Sequence, residues 1–277
     1  MPQLVILSSD RNVDYSFFVP LSSLLWQRCR FQPVVFLVGT VEGWLNDAPS
    51  RVSLATAQGV GAHCVFIGDV HGQRTSTVAQ TVRLYPGLLD YALNTYCLTA
   101  DIDIWPLAPD WFNVRNTTEP VHLFYANAYD HVRYPMCYIG MPSGVWREVM
   151  GHGGEELPMV LQQQLDAGLG WNPCATAAWN YDERLFGDRI RSWTGYPHRC
   201  RMIDRMGAPP CDRIDRSAWP VRPDPRGMID AHLPRPGFGS WWPSLRHLFN
   251  QVLPERGAWA DAYREAFREA IQARSVD

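Results

Sequence analysis

The sequence predicts an α/β fold, a single domain built on a central, mostly parallel sheet flanked by helices, and three observations predict it. Residues 4–7, 33–39 and 63–69 are short apolar runs with little polar alternation, the pattern of strands buried on both faces. Stretches long enough for helices separate them, which is the spacing of βα units and therefore of a parallel sheet. The chain has 277 residues, 46% of them apolar and 19% charged, an ordinary globular balance with length for a sizeable core.

Composition also excludes function classes. A net charge of -3 supplies no basic field to collect nucleic-acid phosphates, so no nucleic-acid partner is expected. All 25 basic residues are Arg. Without Lys the chain has neither a phosphate-loop lysine nor a Schiff-base lysine, while Arg forks bind phosphate and carboxylate bidentately. Seven cysteines, odd in number and mostly inside apolar stretches, read as buried thiols of a reduced protein. His198, Cys200 and Cys211 lack the paired spacing of a zinc site. The N-terminus has no signal-peptide pattern and no 18-residue apolar run occurs, so no membrane span and a cytoplasmic location are expected. The sequon at Asn116 carries little weight without a secretory signal.

Taken in order, the first strand leads into Ser8, Ser9 and Asp10, then a helix near residues 15–30. Ligands of open α/β sheets bind at the carboxyl ends of strands, so these three side chains are candidates for the base and ribose of a nucleotide, or for capping the helix that follows. No Gly-x-Gly-x-x-Gly follows the strand, which disfavours a dinucleotide-binding domain. After the third strand, residues 76–85 show helical spacing of Val78, Val82 and Tyr85, with Gln80 and Arg83 off the apolar stripe. Residues 121–125 and 137–140 read as strands, with Asn127, Tyr129 and His131 in the loop between. Helices are expected from 142, over 155–168 and over 175–193; the last carries Asp182 and Glu183, which can pair with Arg184 and its neighbours on a wet surface. Residues 199–235, dense in Arg, Asp and Pro, read as a loop-rich segment threaded with ion pairs, a candidate lid whose arginines can meet phosphate. A cluster around Trp241 and Trp242 reads as core or as a platform for sugar rings, and residues 259–273 as an amphipathic terminal helix.

The stretch that organises the rest is Leu98 to Leu107, "LTADIDIWPL". If the strand continues through it, Asp101 and Asp103 face one side and converge beyond the strand's carboxyl end, a place for an oxygen-seeking divalent cation. A calcium loop needs further oxygen ligands and a glycine soon after, and Ile104, Trp105 and Pro106 stand there instead. A haloacid-dehalogenase phosphatase wants Thr or Val where Ile104 stands.

This motif, Asp101-Ile102-Asp103 with its apolar lead-in and Trp-Pro exit, resembles the DxD motif of glycosyltransferases with the A-type, Rossmann-like nucleotide-diphospho-sugar transferase fold. The resemblance implies transfer of a sugar from a UDP- or GDP-sugar to a hydroxyl of a glycan or glycoprotein acceptor. It implies Mn²⁺ or Mg²⁺ held by Asp101, Asp103 and a histidine near the C-terminus, for which His232 in "IDAHLPRPG" is the candidate. It further implies that Arg83, in a "QxxRL" stretch with Gln80, points at the donor with Asp101, and that Asp182 or Glu183 faces the acceptor and is the candidate catalytic group. Residues 1–107 would then form the nucleotide-sugar half and 108–277 the acceptor and C-terminal half of one domain. Two other readings stand beside it. A sugar-nucleotide nucleotidyltransferase would show a Gly-rich loop where "SSDRNVDY" has no glycine, and a non-catalytic carbohydrate-binding relative could have lost the aspartates.

Overall fold

The computed structural model describes residues 3–114, 117–129, 132–171, 173–204 and 213–274; Asn116, His131 and Cys211 lie outside them. The chain begins with β1 (Gln3–Ser9) and turns through two short helices, α1 (Val13–Ser16) and α2 (Val19–Arg28), where one had been expected. Asn12, rather than Ser8, Ser9 or Asp10, caps α1, its side chain accepting from the Asp14 backbone N–H. Then follow β2 (Gln32–Val38), α3 (Val41–Asn46), α4 (Ala48–Gly59), β3 (His63–Gly68), α5 (Thr75–Val82) and β4 (Tyr96–Thr99). The middle of the chain contributes β5 (Ile104–Pro106), β6 (Val121–Phe124), β7 (Ile139–Pro142), α6 (Ser143–Met150) and α7 (Leu157–Leu169). The expected long helix over 175–193 is two, α8 (Ala175–Ala178) and α9 (Tyr181–Ser192), because Asn180 between them takes a left-handed φ of 60° that an α-helix cannot include. Two strands, β8 (Cys200–Ile203) and β9 (Arg213–Ile214), occupy the segment read as loops, ahead of β10 (Asp230–His232), α10 (Trp242–Val252) and α11 (Gly257–Arg274).

Seven strands form the main sheet in the order β3-β2-β1-β4-β7-β6-β8. The pairs β2/β3, β1/β2, β1/β4 and β6/β8 are parallel, and β7 is antiparallel to both neighbours, so β7 alone runs the opposite way. The sheet is thus mostly parallel, as expected. Alternation along β1 divides the core: Leu4 and Ile6 join one apolar layer with Val34, Phe36, Val82, Trp146 and Phe186, while Val5 and Leu7 join the other with Trp26, Leu98, Trp105, Leu248 and Phe267. Both faces are covered, which explains why the strands read as nearly unbroken apolar runs.

A smaller three-stranded sheet, β5-β10-β9, sits just beyond β4. Trp105 of β5 is fully buried, its ring edge-on to Phe18 and Phe249 at 6.5 and 5.7 Å, and so clamps this sheet to α2 and α10. The Trp242 cluster is core, with Trp242 buried against Phe17 at 5.8 Å; Trp241 beside it is partly exposed.

Asp47 caps α4, accepting from the Ser50 N–H at 3.2 Å and the Ser50 hydroxyl at 2.5 Å, with Arg274 Nε at 3.3 Å. Asp47→Ala is expected to lower stability by about 1 kcal/mol, the usual cost of an N-cap. Urea unfolding checks it, the midpoint falling at an unchanged slope.

Candidate functional site

The carboxyl ends of β1 and β4 open onto a cavity of about 510 Å³ lined by Ser8, Ser9 and Asp10 on one side and residues 101–104 on the other. Arg83, Asp182, Glu183, Arg213, Arg216 and His232 complete its polar wall.

The two aspartates reach it by a route other than strand alternation. β4 ends at Thr99, whose Oγ1 donates to the Met136 carbonyl at 2.8 Å and accepts from the Ile139 N–H at 2.9 Å. Residues 101–103 then form a turn, closed by the Ile104 N–H to the Asp101 carbonyl at 3.2 Å. Ile102 is the turn's anchor: its side chain is buried and its carbonyl accepts from the Ser22 hydroxyl at 2.6 Å. With Ile102 turned into the core, the carboxylates on either side line the cavity.

Asp103 and His232 are brought together by the small sheet. β10 runs antiparallel to β5 with His232 opposite Ile104, and the Leu233 N–H donates to the Asp103 carbonyl at 2.8 Å. His232 Nε2 consequently stands 3.6 Å from Asp103 Oδ2. The same oxygen has Arg216 Nη1 at 3.2 Å and Arg235 Nε at 3.6 Å.

Arg83 sits just past α5 and is buried, where the helical pattern had placed it off the apolar stripe. Its guanidinium spans two carboxylates, pairing with Asp101 and reaching Asp182 Oδ2 at 3.3 Å. Burial alone would push the Asp101 carboxyl up, but the adjacent Arg83, with His232 and Arg213 adding, holds it below the usual carboxylate range. Asp182 goes the other way: burial raises it, Arg83 opposes, and the charge of Asp101 raises it further.

Glu183, one residue on, faces a different set of partners. Tyr129 Oη donates to its Oε1 at 3.4 Å, and Arg133 Nη1 lies 3.5 Å from Oε2, a buried oxygen that accepts no hydrogen bond among the described residues. Burial and the neighbouring Asp182 push its carboxyl up to about 7. Between its ordinary value of 4.5 and about 7, the folded chain keeps a proton there that the unfolded chain has released. Stability therefore falls as pH rises through that window, by roughly 3 kcal/mol at this one group. Glu183→Gln is expected to flatten this part of the stability–pH curve, measured by denaturant unfolding between pH 4.5 and 7.5.

Two ligands bound at about 2.1 Å to one octahedral ion sit about 3 Å apart, close to the separation of Asp103 Oδ2 and His232 Nε2. Asp101 enters the same cavity with its carboxylate engaged by Arg83. Among the described residues no three His, Cys, Asp or Glu side chains form a preformed cage. Two carboxylates and an imidazole at an open cavity suit an ion that completes its shell with phosphate oxygens and water, as Mn²⁺ and Mg²⁺ do.

Ser8, Ser9 and Asp10 are buried at the cavity edge with partners of their own. The Ser8 hydroxyl donates to the Ala79 carbonyl at 2.5 Å, Ser9 donates to the Asp10 carbonyl at 2.8 Å, and Asp10 Oδ2 accepts from the Thr75 hydroxyl at 2.7 Å. Tyr15 closes this side, with the Arg235 guanidinium 4.3 Å above its ring.

The arginines of residues 199–235 look alike in the sequence. The structure brings Arg213 and Arg216 to the cavity. Arg213 is fixed by Asp230, fully buried, through Nε to Oδ1 at 2.6 Å and Nη2 to Oδ2 at 2.7 Å, and stacks on Tyr125 at 4.9 Å. The alternation of Arg and Asp in that segment was the available signal, but which member would be buried depends on β9 and β10 lying side by side.

No protein-family model and no curated protein matches the chain. Among solved structures it is similar to the galactosyltransferase LgtC, solved with donor and acceptor sugar analogs, at 12% identity over 91% of this chain and 95% of that one, with a TM-score of 0.48. It is similar to the glycosyltransferase GlyE of Streptococcus pneumoniae TIGR4 at 11% identity over 95% of this chain and 64% of that one, TM-score 0.46. A Drosophila β-1,4-galactosyltransferase 7 mutant in complex with manganese, UDP-Gal and xylobiose is similar at 13% identity over 76% of this chain and 67% of that one, TM-score 0.35. At these identities the likeness is one of overall chain path, to proteins named as glycosyltransferases.

Proposed function

We propose that this chain is a metal-dependent glycosyltransferase that moves a sugar from a nucleotide-diphosphate donor, a UDP- or GDP-sugar, to a hydroxyl of a glycan or glycoprotein acceptor. The observation that carries the reading is the meeting of Asp101, Asp103 and His232 with Arg213 and Arg216 in one cavity at the carboxyl ends of β1 and β4. Carboxylates, an imidazole and guanidiniums side by side suit a ligand that brings both a cation and a polyphosphate.

In this reading Asp101, Asp103 and His232 hold Mn²⁺ or Mg²⁺, which when bound would neutralise the charge developing on the leaving diphosphate. Arg213 and Arg216 take phosphate oxygens directly, and Asp230 keeps Arg213 aimed. Ser8, Ser9 and Asp10 take the base and ribose side. Arg83 orders both carboxylates it spans, leaving Asp182 to face the sugar and Glu183, beside the opening toward Tyr129 and Arg133, to receive the acceptor's proton. A carboxyl pushed up to about 7 is a better proton acceptor than an ordinary one and works in its ionised form, so turnover rises with pH toward neutrality. Residues 1–107 serve as the nucleotide-sugar half and 108–277 as the acceptor and C-terminal half, whose C-terminal part also reaches the donor through Arg213, Arg216 and His232. No helix among the described residues is long and apolar enough to cross a membrane. The described cysteines form no disulfide.

The test is thermal unfolding with Mn²⁺ and a panel of UDP-, GDP- and dTDP-sugars. A true donor at 100 times its Kd is expected to add about 2.7 kcal/mol, a rise in Tm of roughly 5–10 °C for a chain of this length. A panel with no metal-dependent shift overturns the proposal.

A further inference from the structure

Beside the cavity described above lies a second, of about 530 Å³, lined by Arg133, Thr176, Trp179, Asn180 and Arg184. Trp179 and Asn180 line both, so the two are continuous. Asn180, at φ 60°, breaks the chain between α8 and α9 in a conformation few residues other than glycine adopt, and the indole before it stands at the rim. Trp179 is 59% exposed, whereas Trp26, Trp44, Trp105 and Trp146 are fully buried in the core. A large exposed apolar ring at the junction of two cavities is one the fold does not use for packing, and its flat face matches the C–H face of a pyranose.

Charge narrows the ligand further. Of the five lining residues two are arginines and none is acidic, in a chain whose net charge is -3. Arg133 is held by stacking on the Tyr129 ring at 4.1 Å and has Glu183 Oε2 at 3.5 Å; Arg184 is exposed, on the first turn of α9. Arginine forks lining the same hollow as an aromatic platform favour a planar or tetrahedral anion attached to the ring that stacks.

Resting on the sugar-transfer reading above, we propose that this second cavity is the acceptor subsite and that it selects a saccharide carrying an anionic group, a carboxylate or a phosphate. Trp179 takes the sugar face, Arg184 and Arg133 take the anion, and the continuity of the cavities puts a hydroxyl of that sugar toward Glu183.

Saturation-transfer NMR on the full chain, without nucleotide or metal, tests it with three probes: methyl β-D-glucopyranoside, its uronate, and glucose 6-phosphate. Both anionic probes are expected to bind about tenfold more tightly than the neutral one at low salt. Arg184→Gln is expected to narrow that gap, and Trp179→Ala to weaken all three probes. The ranking of uronate against phosphate identifies which anion the site takes. Equal binding of charged and neutral probes, a gap that Arg184→Gln leaves unchanged, or no saturation transfer to any probe overturns the subsite. The nucleotide panel is read on separate samples: a chain that answers the nucleotide but not the sugars loses the subsite and keeps the donor reading, and the converse loses the donor reading and leaves an anionic-sugar site that accepts no transfer.

Discussion

Asp103→Ala is expected to remove the metal-dependent part of a nucleotide-sugar thermal shift that totals about 2.7 kcal/mol at 100 times Kd, and to lower sugar transfer by at least about 10²- to 10³-fold. Asp103 is the residue on which the polar wall converges: Arg216, His232 and Arg235 all approach its Oδ2 within 3.2 to 3.6 Å. Deleting the carboxylate takes away the oxygen ligand that pairs with His232 and leaves three cationic or cation-prone groups facing one another. The variant then gains residual affinity for nucleotide diphosphate from guanidiniums alone, so metal-free binding persists while the metal increment vanishes. Paired melts with and without Mn²⁺, together with chromatographic detection of the released nucleotide, separate the two terms. An unchanged metal increment in Asp103→Ala would refute the proposed ligand.

The second large effect is on stability. Arg83→Met is expected to cost about 3–5 kcal/mol, the usual loss when one partner of a buried ion pair is removed, and to lower Tm by roughly 10 °C. Arg83 is buried between Asp101 and Asp182, and Asp182 is itself buried, so the apolar replacement strands two carboxylates without their counter-ion. Adding Asp182→Asn should restore part of the loss, because it removes the charge with least access to water; the two changes are therefore non-additive. The same logic sets a pH signature. Asp101 is held low by Arg83, so the stability it contributes is present above the ordinary carboxylate range and is lost as pH falls through its depressed value. In Arg83→Met that acid-side loss disappears and stability instead improves on acidification, as the stranded carboxylates take up protons. Denaturant unfolding of the four variants of this cycle, at neutral and acid pH, measures both. A loss below about 1 kcal/mol, or strict additivity with Asp182→Asn, would mean that the bridge carries little of the fold's stability.

Such effects separate what one-dimensional pattern can reveal from what it cannot. β1, β2 and β3 were legible because a strand buried on both faces needs apolar side chains at successive positions, and that requirement is written locally. β8 was not: at the sheet edge its Arg201 and Met202 are exposed, so it reads as loop. The break at Asn180 was hidden for a similar reason, since the residues around it have helical character and only the packing of α9 decides where the turn falls. Arg83 was recognised as a site candidate through the "QxxRL" resemblance, yet its burial between two carboxylates follows from Asp182, 99 positions later, arriving at the same place.

By itself the sequence determined the α/β class, the parallel core strands, the two-layer apolar packing that follows from them, and the presence of an aspartate pair after the fourth strand. Only the tertiary structure decided which polar groups meet. The pairing of β10 with β5 brings His232 beside Asp103, the pairing of β10 with β9 places Arg213 against Asp230, and the turn at Ile102 aims both aspartates into one cavity. The reason is physical: hydrophobic periodicity is a local property of a chain, whereas the partners of a buried charge are chosen by contacts between separate segments of the chain, and their identity exists only once the sheet has formed.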